Sequence, residues 1–207
     1  MPEDSRDKSL APPSTRRIEA LADGIFAFAM TLLVLTLTLP DAAQTKLGLS
    51  QLLAGQWFKF FNYALSFALL AIFWIIHHQQ FHVIRRTNGA HLWINIGILM
   101  FVALVPFSTD VAGDYSGQML AELLFSGNLL ILGLLFLLNW VYACDNHRLV
   151  DPELSQQAIV RGTRRNCIMP GVAATSMIVS VIVPVWGLTV YLLIPIIQLL
   201  PWFRGRG

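Results

Sequence analysis

The chain has 207 residues, of which 56% are hydrophobic and only 13% are charged, and its mean hydropathy is +0.62. A soluble domain usually carries about 25% charged residues, and the charges here leave several windows of roughly 20 residues almost uncharged, the length that crosses ~30 Å of hydrocarbon. The net charge of +2 and the lack of a basic patch with interleaved aromatic residues argue against nucleic acid as a partner. We therefore predict an all-α, polytopic integral membrane protein in the lipid bilayer.

The chain begins with a polar, Pro-containing stretch, residues 1–15, which has no apolar region of the kind found in signal peptides. We expect it to be a mobile cytoplasmic tail, followed by one transmembrane domain over 16–203 and a second short cytoplasmic tail over 204–207. The domain contains six apolar segments, which run from about Ile18 to Leu39, Trp57 to His77, Leu92 to Phe107, Met119 to Ala143, Ile168 to Trp186 and Leu188 to Phe203.

The distribution of basic residues tests this count of six transmembrane helices. With a cytoplasmic N-terminus, 12 of the 14 Lys and Arg residues fall inside, and only Lys46 and Lys59 fall outside. Six helices with both termini cytoplasmic fit this asymmetry. The outer connection 41–56 and the inner connection 145–166 are the longest, and each has the mixed polar and apolar pattern of a short surface helix.

The first apolar segment has two different faces. At about 100° per residue, Thr31, Leu32 and Leu35 lie within about 60° of Phe28, whereas Glu19 and Asp23 lie on the far side. From periodicity alone, the apolar stripe can face either lipid or protein. Ionisable groups in a spanning helix usually have partners, and the predicted topology brings Asp23 to the depth of Arg17 and His77. The sequence thus predicts an Asp–His–Arg cluster between helices, with solvated carboxylates at the membrane surface as the alternative.

Enzyme motifs are absent from the sequence. His78 and His82 have the i, i+4 spacing of a metal pair, but no second histidine pair accompanies them. We expect neither an enzyme nor a metal site or other cofactor. The TVGYG filter and the repeated arginines of a voltage sensor are also missing.

The sequence contains Arg17-x-x-x-Leu21-Ala22-Asp23 in the first segment and Trp74-x-x-His77 in the second, and these two stretches resemble motifs of the transmembrane potassium channel family first known from endosomes and lysosomes. The first helix of that family carries Arg-x-x-x-Phe-Ser-Asp, matched here by Arg17 and Asp23 with Leu21 and Ala22 at the middle positions. The second carries Trp-x-x-His, matched by Trp74 and His77.

The resemblance implies a homotetrameric, potassium-permeable cation channel of the prokaryotic plasma (inner) membrane, without a re-entrant pore loop. The first helix of each subunit would line the pore, with Phe28, Thr31, Leu32 and Leu35 at its apolar constrictions. K⁺ would be the permeant ion, and other monovalent cations would pass more weakly. Arg17, Asp23, Trp74 and His77 would form an interhelical or gating network. The alternative is a proton-coupled secondary transporter that uses Asp23 and His77 as a relay.

Overall fold

The computed structural model describes residues 15–39 and 48–194, and within these ranges it contains α-helices, short 3₁₀ turns and loops. An antiparallel bridge joins Ile84 to Val150. The helices are α1 (Thr15–Leu32), α2 (Leu49–Gly55), α3 (Trp57–Val83), α4 (Gly89–Asp114), α5 (Met119–Cys144), α6 (Gln156–Asn166) and α7 (Ile168–Ile182).

Five helical stretches of the described residues are long and apolar enough to cross a membrane. They correspond to the first five predicted segments, and α3 and α5 begin at the predicted residues, Trp57 and Met119. The sixth predicted segment lies only partly within the described residues. Leu188–Leu192 at the start of the sixth segment is a 3₁₀ helix, and residues 195–203 lie outside the described residues, as do 1–14 and 204–207 of the two predicted tails.

Two helices are longer than predicted. α3 continues through the polar stretch after His77 to Val83, and α4 begins at Gly89 instead of Leu92 and ends at Asp114. The start of α4 is fixed by Asn88, whose Oδ1 accepts a hydrogen bond from the His91 backbone at 2.9 Å. Hydropathy marks where a helix leaves the hydrocarbon, whereas backbone hydrogen bonding continues until a cap ends it.

The two predicted surface helices are present as α2 and α6. Ser155 caps α6 by accepting from the backbone N–H of Ala158 at 3.3 Å. A single turn residue, Cys167, joins α6 to α7. Cys167 N donates to Thr163 O and Gly171 N donates to Cys167 O, whereas Pro170 has no N–H for the Asn166 carbonyl.

The helices pack around α5, which contacts α4, α6 and α7, while α1 lies against α3 and α4. α5 and α7 pack closely at Gly133. A Cβ added there would lie 2.9 Å from the Cδ and backbone N of Pro170, so the glycine leaves room for α7. The core contains the fully buried rings of Phe26, Phe73 and Phe136, which come from α1, α3 and α5. This packing leaves part of α1 uncovered.

Candidate functional site: the exposed face of the first helix and its anchoring contacts

One face of α1 is buried against the other helices. Its members recur at helical spacing and continue into a 3₁₀ turn, Leu33–Thr36; they are Ile18, Ala22, Phe26, Ala29, Leu33 and Thr36. These small and apolar side chains allow α1 to approach α3 and α4 closely.

A second face of α1 remains uncovered in the protomer. Phe28 is 64% exposed and Leu35 is 67% exposed, Thr31 lies exposed between them, and Leu32 is half-buried at the edge. We call Phe28, Thr31 and Leu35 the α1 stripe. The Thr31 hydroxyl donates to the Phe28 carbonyl at 2.8 Å, so its oxygen retains lone pairs that can face an ion or a water molecule.

The α-helix of the first segment ends earlier than the sequence predicts. It stops at Leu32, and Leu33–Thr36 forms a 3₁₀ helix, so that Leu35 lies in a tighter turn than Phe28 and Thr31. Helix propensity is lowered here by four β-branched residues, Thr31, Val34, Thr36 and Thr38. Leu35 nevertheless remains exposed, as the helical repeat predicts.

Asp23 is anchored by a tryptophan of α3. Trp74 Nε1 donates to Asp23 Oδ1 at 2.8 Å, and the indole ring stacks on His78 with a centroid separation of 6.0 Å. Arg17 is exposed, and no ion pair or hydrogen bond joins it to another residue of the described ranges. The structure thus brings Asp23 and Trp74 together and leaves Arg17 apart.

His77 is buried and faces α4. Its Nε2 lies 3.3 Å from Asn95 Oδ1, and its ring stacks on Phe81 with 4.5 Å between centroids. Asn95 Nδ2 is the donor to Asn139 Oδ1, so Asn95 Oδ1 is the acceptor and His77 Nε2 carries the proton. Within the described residues no hydrogen bond links His77 to Asp23. His77 instead touches α1 through Phe26, whose ring centroid is 6.1 Å away.

The bond from His77 continues into a chain of buried amides that joins α3, α4, α5 and α6. We call Asn95, Asn139, Gln80 and Asn166 the amide chain. Asn95 donates to Asn139 at 2.9 Å, Asn139 donates to Gln80 at 2.8 Å, and Gln80 donates to Asn166 at 2.7 Å. Polar residues in a membrane span mark contacts between helices, and this is the signal that the sequence offered for Asn139.

The geometry describes an integral membrane protein made of helices, with its polar side chains paired internally and one apolar stripe left uncovered on α1. The family model for the endosomal/lysosomal potassium channel TMEM175 matches residues 17–106, which include α3 and most of α1 and α4. A potassium channel of Streptomyces collinus is 34% identical over 152 residues, which cover 72% of this chain and 73% of that protein. A potassium channel of Chamaesiphon minutus is 31% identical over 176 residues, covering 83% and 86%.

A solved structure agrees with these relatives. The crystal structure of a lysosomal potassium-selective channel TMEM175 homolog from Chamaesiphon minutus matches with a TM-score of 0.80 at 28% identity, covering 92% of this chain and 98% of that one. The human endosomal/lysosomal proton channel TMEM175 is 30% identical over 119 residues, only 24% of its length. The chain belongs to the TMEM175 family, whose members matched here are ion channels and not enzymes.

Proposed function

We propose that the chain is a potassium-permeable cation channel and that the α1 stripe lines its pore. The observation that carries the proposal is the exposure of Phe28 and Leu35, 64% and 67%, on a helix whose other face is buried. The bacterial relatives, which are named potassium channels, support it. The channel works in the plasma membrane with both termini in the cytoplasm, the orientation favoured by the distribution of basic residues.

The pore forms by assembly of identical subunits, four in number by resemblance to the family. The hydroxyl of Thr31, which lies between Phe28 and Leu35 on the exposed face, adds support for a pore, because it offers an oxygen to a passing ion that lipid chains would not use.

Apolar rings at Phe28, Leu32 and Leu35 act as constrictions. A narrow apolar passage empties of water readily, so it gates by dewetting. It replaces the ion's hydration shell only in part and therefore favours K⁺ over the more strongly hydrated Na⁺ by a modest factor, and other monovalent cations pass more weakly. The Phe28 ring offers a π-face that attracts a desolvated cation, and the Thr31 hydroxyl offers an oxygen.

Arg17, Asp23, Trp74 and His77 have a positioning role in this proposal. The Asp23–Trp74 hydrogen bond fixes the rotation of α1 against α3, and His77 supports Phe26 on the buried face. A change at either contact would rotate the stripe relative to the pore axis. Arg17 sits one and a half turns before Asp23, where membrane-surface charge or a neighbouring subunit can reach it.

Planar-bilayer recording with K⁺ on one side and Na⁺ on the other tests the proposal. We expect single-channel openings and a reversal potential displaced toward the K⁺ equilibrium value. A proton-coupled transporter with Asp23 and His77 as its relay would give a slow, saturating flux without openings. Because animal relatives are named proton channels, the recording is repeated under a pH gradient. The absence of K⁺ current in protein that elutes as a single species would contradict the proposal.

A further inference from the structure

Two grooves on the α6–α7 surface meet at one arginine. The first, of about 530 Å³, is lined by Gln156, Gln157, Val160, Arg161 and Arg164. The second, of about 450 Å³, runs from Arg164 past Ile168, Gly171 and Thr175 to Val190 and Leu193. A groove that carries amide and guanidinium groups thus adjoins, at Arg164, a groove lined mainly by apolar side chains.

The backbone between α6 and α7 keeps the two grooves in line, because Cys167 has helical dihedral angles, with φ −75° and ψ −16°. Arg164, Ile168, Gly171 and Thr175, at i, i+4, i+7 and i+11, all line the second groove. Gly171 has no side chain to fill the apolar groove, and the space beside it is open, since a Cβ there would meet no atom within 4 Å. The groove therefore follows the α7 axis from the arginine into the membrane.

The charge at the polar end is of one sign. Arg161, Arg164 and Arg165 lie within five residues, and the sequence contains no Asp or Glu from 156 to 182. Arg165 faces another groove, beside His82 and Trp140, so Arg161 and Arg164 supply the charge of this one. Basic residues beside a membrane helix on the predicted cytoplasmic side attract anionic lipid headgroups.

We propose that these joined grooves bind an anionic phospholipid, with its phosphate at Arg161 and Arg164 and an acyl chain along Ile168, Gly171 and Thr175. Two arginines at the junction of a groove with glutamines and a lengthwise groove of apolar side chains match the headgroup and the acyl chain of such a lipid. The site lies on α6 and α7, separate from the α1 stripe, and its occupancy is measured without ion flux.

Native mass spectrometry of the purified protein tests the binding. Phosphatidylglycerol and phosphatidylcholine with identical acyl chains are titrated separately, and we expect tighter binding of phosphatidylglycerol. Arg161→Gln and Arg164→Gln should each weaken phosphatidylglycerol binding about fivefold and leave phosphatidylcholine unchanged. Arg85→Gln is the matched control, because Arg85 is exposed and lines neither groove. Equal binding of the two lipids by the wild-type protein, or equal loss in the control, overturns the proposal.

The apolar half of the site has its own variant. Gly171→Phe fills the groove and should lower the binding of both lipids, whereas Gly127→Phe adds the same ring to α5, where a Cβ also meets no atom within 4 Å, and should change neither. Thermal unfolding confirms that each variant is folded. Wild-type lipid binding by Gly171→Phe contradicts the proposal, and so does a change in oligomer size without a change in lipid binding, which would mean that a second copy of the chain occupies the groove.

Discussion

The side chains of the amide chain are paired within the protomer, whereas those of the α1 stripe are largely without contacts in it. In the amide chain each step from Asn95 to Asn166 is a hydrogen bond of 2.7–2.9 Å between buried side chains. In the stripe, Phe28 and Leu35 are about two-thirds exposed and pack against little of their own protomer.

The difference separates stability from function. Buried amides in hydrocarbon are costly unless they are paired, so the amide chain holds α3, α4, α5 and α6 in one arrangement. The stripe contributes little to that arrangement and is free to serve contacts that form later, between subunits or with ions. Substitutions in the two regions should therefore have different consequences.

The largest expected loss of stability comes from the closed interior. Gly133→Ala places a methyl group against the Pro170 backbone and should lower the unfolding free energy by about 1–3 kcal/mol, seen as a fall of about 5 °C in the thermal midpoint. Gly24→Ala on α1 is the control, because a Cβ there meets no atom within 4 Å. An equal fall in the thermal midpoint of both variants would show that Gly24 is packed as tightly as Gly133.

A smaller loss is expected when the amide chain is interrupted. Asn139→Leu keeps the branching at Cγ but leaves the Asn95 donor and the Gln80 acceptor unpaired, which should cost about 1–2 kcal/mol in chemical denaturation. Leu138→Ala is the control, at a half-exposed neighbour on α5. It removes apolar volume and should lower the unfolding free energy by less than Asn139→Leu. If Leu138→Ala proved the more damaging, the amide chain would not be what holds these helices together.

The contact that anchors α1 should be weaker still. A double-mutant cycle of Trp74→Phe and Asp23→Ala isolates the indole–carboxylate hydrogen bond, and we expect a coupling energy of about 0.5–1 kcal/mol. The cycle is measured on thermal unfolding and on K⁺ current, because loss of the bond should alter gating more than folding. If the effects of the two substitutions add up in both readouts, the coupling energy is zero, and the Asp23–Trp74 bond contributes to neither folding nor gating.

The smallest change in stability, and the largest in conduction, is expected in the stripe. Phe28→Ala should alter the unfolding free energy by no more than about 0.5 kcal/mol, because the ring is exposed, while it widens the apolar passage. The expected result is a larger conductance with a weaker preference for K⁺ over Na⁺ in single-channel recording. Unchanged conduction would place Phe28 outside the pore.

The sequence predicted the spanning helices better than their ends. The uncharged windows are direct consequences of bilayer thickness, so they located α3, α4, α5 and α7. They did not predict that α3 continues through Gln80 to Val83, because polar residues outside hydrocarbon still form helical hydrogen bonds. The 3₁₀ turn after Leu32 was also missed, since an ideal repeat of 100° assumes a continuous α-helix.

Partners of buried polar residues were harder to predict. Asp23 was expected beside His77 and Arg17, whereas its bond is to Trp74, one turn earlier on α3. A helical repeat gives the direction of a side chain but not which of two neighbours on the next helix reaches it. Asn139 and Gln80 are 59 residues apart, and their pairing depends on the packing of α3 against α5, which no local pattern encodes.

Cysteine accessibility tests the central claim, that the α1 stripe lines the pore, most directly. In a Cys167→Ser background, because Cys167 is exposed and Cys144 is buried, Phe28→Cys, Leu35→Cys and the control Val34→Cys are treated with a charged, membrane-impermeant thiol reagent during recording. Val34 is half-exposed and adjoins Leu35 on a different face of the 3₁₀ turn. The account predicts loss of K⁺ current at Phe28→Cys and Leu35→Cys and none at Val34→Cys. Block only at Val34→Cys, or unchanged current in all three variants, would contradict it.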